Sequence, residues 1–171
     1  FAPSHSPSER FKVIPREMST ALIGEIVDGF GQAARRMAEA GADGVEIVAS
    51  HGYLPAKFMN ARVNRRTDQY GGALDNRLRF TRETIAAVRA HVPDEFIVGM
   101  RMSGDEHDED GMVEDESVAI ARALAPDLDY LNVIAGTSAT ASGAAHIVPS
   151  MANTHGYVAP FAQKVKQATG K

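Results

Sequence analysis

No cysteine occurs in the 171 residues, which excludes a disulfide framework, a thiolate metal centre and an iron–sulfur cluster from this stretch of chain. The same absence suits a cytoplasmic location. Long apolar runs are missing too: nothing approaches the roughly 20 consecutive apolar residues that a membrane span requires. The opening FAPSHSPSER lacks the charged-then-apolar order of a secretion signal. No block of Lys or Arg stands apart from acidic neighbours and the net charge is −4, so the electrostatic footprint of a nucleic-acid binder is lacking. No GxGxxG follows any candidate strand, which counts against a dinucleotide-binding Rossmann unit. The class of partner left is a small molecule.

What is present is a 44% hydrophobic composition, enough for the core of one domain. Residues 1–18 are rich in Pro and Ser and read as a loop, and residues 19–171 read as αβαβαβα. Ser19 is placed to cap a helix whose apolar stripe is Leu22, Ile23, Ile26, Val27, Phe30, Ala34 and Met37, with Gly41 ending it. The β-branched run from Gly44 to Ala49 then suits a buried parallel strand. The unit recurs as a helix marked by Leu74, Leu78, Thr81, Ile85 and Val88 and a strand from Phe96 to Arg101. It recurs again as a helix from Glu114 to Leu124 and a strand from Tyr130 to Ile134, before a last helix from Val158 to Ala168. Such alternation implies right-handed βαβ crossovers and a parallel sheet. The loops after the strands (Ser50 to Gly72, Met102 to Val113, Ala135 to His155) are long and the turns before them short. Ligands bind at the carboxyl ends of strands in α/β proteins, so the long loops mark the functional face. The chain opens on Phe and stops just after a helical pattern, and both ends are expected to be cuts.

Two side chains just past the first strand, His51 and Tyr53, are spaced so that extended backbone would turn them to one face. An imidazole beside a phenol can orient a polar substrate atom and exchange a proton with it; a packed Tyr with a structural His is the plainer alternative. Further on stand Asn64, Arg66, Thr67, Asp68, Tyr70, Gly71, Gly72, Asn76 and Arg77, residue types that satisfy loop backbone and cap the next helix, and so are expected to be structural.

Taken together, DGVEI followed by His51-Gly52-Tyr53-Leu54 and then the Asn64 to Arg77 pattern closely resembles the old yellow enzyme family, with its dienoyl-CoA reductase and trimethylamine dehydrogenase relatives, and the likeness runs along essentially the whole chain. The resemblance implies an α/β fold, a partial (β/α)8 TIM barrel supplying the fourth to sixth strands, with FMN across their carboxyl ends. It implies that His51 binds substrate, that Tyr53 is the proton donor of ene-reduction, and that Arg101 lies beside the flavin pyrimidine, where a permanent cation stabilises the reduced anionic ring. On position alone Arg101 would be half of an ion pair. The family's contacts to the flavin ring from earlier strands and its phosphate loops fall outside these residues, so neither a preformed FMN site nor activity of the chain by itself is expected. An iron–sulfur cluster and FAD or NAD(P), present in larger members, would also lie outside.

Two departures direct the reading. Ene-reductases usually carry a His where this chain has Val48, and an apolar side chain cannot donate to an enone oxygen. Trimethylamine dehydrogenase completes a triad with an Asp after the sixth strand, where this chain has Gly136-Thr137-Ser138. The phrases IVASHGYLPA and SGAAHIVPSM are most similar to the flavin-dependent demethylases of N-methylproline and dimethylglycine, so oxidation of an N-methyl group is expected, with ene-reduction using NAD(P)H as the alternative. A non-catalytic half-barrel that dimerises to cover its open strand edges is an alternative of another class. The run Asp105 to Asp110 fails as a calcium loop because Ser117 stands where a Glu ligand belongs, and is expected to be solvated. No metal is expected, and His146 and His155 are weaker candidates for reaching substrate.

Overall fold

In the computed structural model, which describes residues 1–7 and 12–171, three parallel strands form one sheet in the order β1-β2-β3. The elements are α1 (Thr20–Glu39), β1 (Gly44–Ala49), α2 (Leu54–Met59), α3 (Leu74–Ala90), β2 (Ile97–Asp105), α4 (Glu114–Leu124), β3 (Tyr130–Ala135), α5 (Ala141–Ala144) and α6 (Ala159–Thr169). Ser19 caps α1 as expected, its Oγ accepting from the Leu22 N–H at 3.1 Å. Met37 does not join the buried stripe: it is 47% exposed, and Ala38 takes the last inward position.

The side chains of the strands alternate between two faces. Val45, Ile47 and Ala49 of β1, Val98, Met100 and Met102 of β2, and Leu131 and Val133 of β3 join the core with Leu78, Ile85, Ile120, Leu124 and Val165 from the helices. The opposite face carries Glu46 and Val48, then Gly99, Arg101 and Ser103, then Tyr130, Asn132 and Ile134. Among the described residues it is open at the strand starts, where Ile97 and Tyr130 are 45% and 37% exposed, and closed at Ser103, which is 1% exposed. Register places Val48 beside Arg101 beside Asn132, and Glu46 beside Gly99 beside Tyr130. A parallel sheet with one face under helices and the other polar is a segment of a (β/α)8 wall, whose inner face fills a lumen.

Three expectations are corrected. β2 does not stop at Arg101 but runs to Asp105, because Ser103 Oγ donates to the Gly136 carbonyl at 2.9 Å and Asp105 pairs with Ala135 across a bulge. The long loop after β1 contains a helix, α2, with Pro55 in its first turn, and the loop after β3 contains the short α5. The Asn64 to Arg77 segment is structural, but its polar residues do not cap α3: Ala73 holds that position with no side-chain bond. Instead Asn64 Nδ2 donates to the carbonyls of Phe58 and Tyr70, both at 2.7 Å, and Asp68 accepts from the Tyr70 N–H at 3.0 Å. Arg66 Nη1 donates to the carbonyls of Pro3 and Met18 at 2.9 and 2.7 Å, tying the chain start to this loop. Arg77 reaches the Met59 carbonyl and Glu116. The loop is thereby fixed around Met18, Ile23, Phe58, Tyr70 and Phe80, a second apolar cluster beneath α2.

Candidate functional site at the carboxyl ends of the strands

His51 and Tyr53 come together, though not through extended backbone. His51 has φ 59° and Gly52 φ 71°, so the chain leaves β1 through two successive left-handed residues. Gly52 meets this requirement at no steric cost, whereas His51 holds it as a strained residue, the kind found where a side chain is aimed for use. The strain is held by two bonds to the His51 carbonyl, from the Ser138 N–H at 3.0 Å and from Ser138 Oγ, and by a parallel bridge between His51 and Thr137. The turn then delivers Tyr53 to the N-cap of α2, its N–H donating to the Ser50 carbonyl at 3.0 Å. The two rings meet edge to face with centroids 5.8 Å apart, and Tyr53 is 57% exposed.

Arg101 is on the open inner face of β2, and its charge reaches His51. Partial burial, and then the Arg101 guanidinium, hold the His51 imidazole below its ordinary range, so it is neutral at neutral pH. Its Nδ1 is 3.0 Å from Ser50 Oγ, and its Nε2 has no hydrogen-bond partner among the described residues. Arg101 also forms the ion pair that position alone suggested: Nη2 lies 2.7 Å from Glu46 Oε1. Glu46 Oε2 further accepts from the Tyr130 hydroxyl at 3.1 Å and Asn132 Nδ2 at 2.9 Å, and burial followed by this carboxylate pushes the Tyr130 phenol up. Glu46, Tyr130 and Asn132 escaped the sequence reading; the signal was their period-two spacing on strands read only as buried.

The acidic run is not solvated throughout. Glu106 is 2% exposed, its Oε2 accepting from Asn60 Nδ2 at 2.6 Å and from the Met112 N–H at 2.8 Å, while burial pushes its carboxyl up. Asp108 is paired with Arg62. These contacts anchor the end of α2 whose beginning is Tyr53. His146 is taken up by His107, on which it stacks at 4.1 Å, and by Tyr157, whose hydroxyl donates to its carbonyl. His155 lines a separate groove with Pro149, Met151 and Val158. Among the described residues no group of three or more His, Asp or Glu could hold a metal ion, and no helix is long and apolar enough to cross a membrane.

A parallel sheet with helices on one face, a layer of polar residues across the other, and His51 and Tyr53 just past the end of β1 defines a segment of an α/β barrel. The chain belongs to the NADH:flavin oxidoreductase / NADH oxidase family, the old yellow enzyme family, whose sequence profile it matches over residues 2–168. It is 40% identical over 131 residues to N,N-dimethylglycine/sarcosine dehydrogenase of Chromohalobacter salexigens, covering 75% of this chain and 19% of that protein. It is 35% identical over 170 residues to a probable N-methylproline demethylase of Rhizobium meliloti, covering 98% of this chain and 25% of that protein. A solved 2-naphthoyl-CoA reductase in complex with 2-naphthoyl-CoA superposes with a TM-score of 0.84 at 28% identity, covering 98% of this chain and 25% of that one. The chain thus spans about a fifth to a quarter of the length of these relatives. The family is FMN-dependent. Arg101 brings a permanent positive charge to the inner face, and its Nε is buried without a hydrogen-bond partner.

Proposed function

We propose that these residues form the substrate side and one flavin edge of an FMN-dependent oxidoreductase that removes an N-methyl group from a methylated amine or amino acid. The observation that carries this reading is the layer Val48, Arg101, Asn132. Beside the cation that would face the flavin stands an apolar side chain with nothing to donate to a carbonyl, as suits a substrate that must give up hydride. The two curated relatives named for dimethylglycine and N-methylproline support it.

FMN, when bound, supplies the hydride acceptor. The chain's own residues bind and orient. His51, kept neutral by burial and by Arg101, presents Nε2 to the amine without adding a positive charge that would repel it. Tyr53 offers a hydroxyl donor to a carboxylate or amine. Loss of hydride from the methyl carbon leaves an iminium, and water adds to it to release formaldehyde and the demethylated amine. Anaerobic mixing of the FMN-loaded enzyme carrying these residues with N-methylproline or N,N-dimethylglycine is expected to bleach the oxidised-flavin band. Bleaching by NAD(P)H alone, with turnover of 2-cyclohexenone, would overturn the reading.

That outcome would favour ene-reduction, for which Tyr53 is the supporting observation: a phenol at the carboxyl end of β1, exposed and aimed by α2, can protonate a carbon.

A further inference from the structure

Beside Tyr53 the surface opens into a cleft of about 670 Å3 of which the chemistry above uses only Tyr53. Its walls come from the chain start, from α2 with the loop after it, and from Ser138 and Ala139. Among the described residues three cationic side chains line it, Lys57, Arg62 and Arg65, against one acid, Asp110. They differ in what they already hold. Arg62 is committed to Asp108, whose side chain is 7% exposed. Arg65 is steadied by its Nε, which donates to the Arg62 carbonyl at 3.1 Å, leaving its terminal nitrogens for solvent or ligand. The Lys57 ammonium forms no ion pair or hydrogen bond among the described residues. Partial burial pushes its ammonium below the ordinary lysine range, the sign of a charge losing water without a compensating anion. Leu54, Val63 and Ala139 add an apolar stretch to the wall, beside Ser6 and Ser138. The Tyr53 ring, which also lines the cleft, links it to His51.

We infer that this cleft is an anion subsite, in which Lys57, with Arg65 and the Tyr53 hydroxyl, holds a carboxylate or phosphate of the molecule whose reacting end lies at His51. A compact ammonium on a flexible stem suits a single anionic group, and the apolar wall suits the aliphatic part that follows it. The carboxylate form of the inference rests on the N-methyl amino acid reading; the phosphate form, which a nucleotide or coenzyme A thioester would supply, does not.

The test is anaerobic NMR titration of the isotopically labelled, FMN-loaded enzyme carrying these residues with three probes: N-methylproline, N-methylpyrrolidine, which has the same ring without the carboxylate, and inorganic phosphate. Lys57→Gln removes the charge and Lys57→Arg keeps it, and an unchanged amide spectrum reports that each variant is folded. N-methylproline is expected to shift the Lys57 side-chain and Tyr53 resonances and raise the Lys57 pKa. Its affinity is expected to fall roughly tenfold or more in Lys57→Gln and to recover in Lys57→Arg, with N-methylpyrrolidine indifferent to both. Phosphate bound with the same sensitivity, and N-methylproline not bound, would keep the subsite as a phosphate site while overturning the amino acid reading of the reaction. Equal affinity of wild type and Lys57→Gln for every probe, or no anion binding at all, would overturn the subsite itself.

Discussion

A carboxyl group surrounded by protein must be protonated or held by donors, and Glu106 shows both influences. It stands in a run of five acids and one histidine, Asp105 to Asp110, whose sequence cannot reveal which member turns inward. That choice is made by the Asn60 amide, 46 positions away in the chain, and by the Met112 N–H. Replacement by Gln keeps an acceptor for both donors and removes the charge that burial disfavours. Glu106→Gln is therefore expected to be neutral or stabilising at pH 7, whereas Glu106→Ala, which orphans two donors, is expected to cost about 2–4 kcal/mol. The pH dependence has a definite sign. The folded pKa lies above the ordinary 4.5, so the folded state binds the proton more tightly, and that contribution is fully present below about pH 4.5 and is lost as pH rises through the folded value. Urea midpoints of wild type and Glu106→Gln should thus diverge in favour of the variant as pH is raised. Parallel curves would show that Glu106 is stable as an ion. The same limit applied at the site. His51 and Tyr53 were legible because they adjoin in sequence, but the left-handed turn that joins their rings, and the Ser138 contacts that hold it, depend on a loop 87 residues away.

Elements were legible where their period was long enough to express a buried face. The four longer helices and the three strands stand close to where spacing placed them. α2 escaped because its six residues, one of them proline, span too little chain to show a stripe, and because what holds them is the Arg77 and Asn60 contacts to other elements. The end of β2 escaped because Ser103-Gly104-Asp105 has the composition of a turn and becomes strand only through pairing with β3. That pairing carries a close approach on the inner face. A Cβ added at Gly99 would overlap the ring of Tyr130, directly opposite in register, so glycine here makes room for an aromatic that reaches over β2 to Glu46 on β1. Gly99→Ala is expected to destabilise the protein by about 1–3 kcal/mol, the usual cost of overpacking. The cost should largely vanish in a Tyr130→Ala background, where nothing is left to displace. A double-mutant cycle in urea reads this coupling, and strictly additive effects would show that the clash is relieved elsewhere.

At the scale of the whole molecule the sheet has one satisfied face and two unsatisfied edges. β1 and β3 each pair only with β2, so the outer backbone of Gly44–Ala49 and of Tyr130–Ala135 has no strand partner among the described residues, and the polar inner layer with Ile97 and Tyr130 faces outward. Parallel strands are ordinarily buried on both faces, and bare edges template pairing with another chain. The Glu46–Arg101 pair does not prevent this, because its charges are already matched to each other across the middle of the face. The chain is therefore expected to self-associate in water, which sedimentation velocity over a range of micromolar concentrations would register as a mass rising above the 18.3 kDa monomer. Ile97→Lys, which puts a charge on the open face at the start of β2 without touching the helix-covered core, should shift that equilibrium back towards monomer. A discrete dimer abolished by this substitution would mean that the inner faces close on one another as a miniature lumen and would revive the non-catalytic half-barrel. Polydisperse association would mean that the face is shaped for strands of a larger barrel, and a monomer at every concentration would mean that the strand edges are tolerated in water and that the prediction fails.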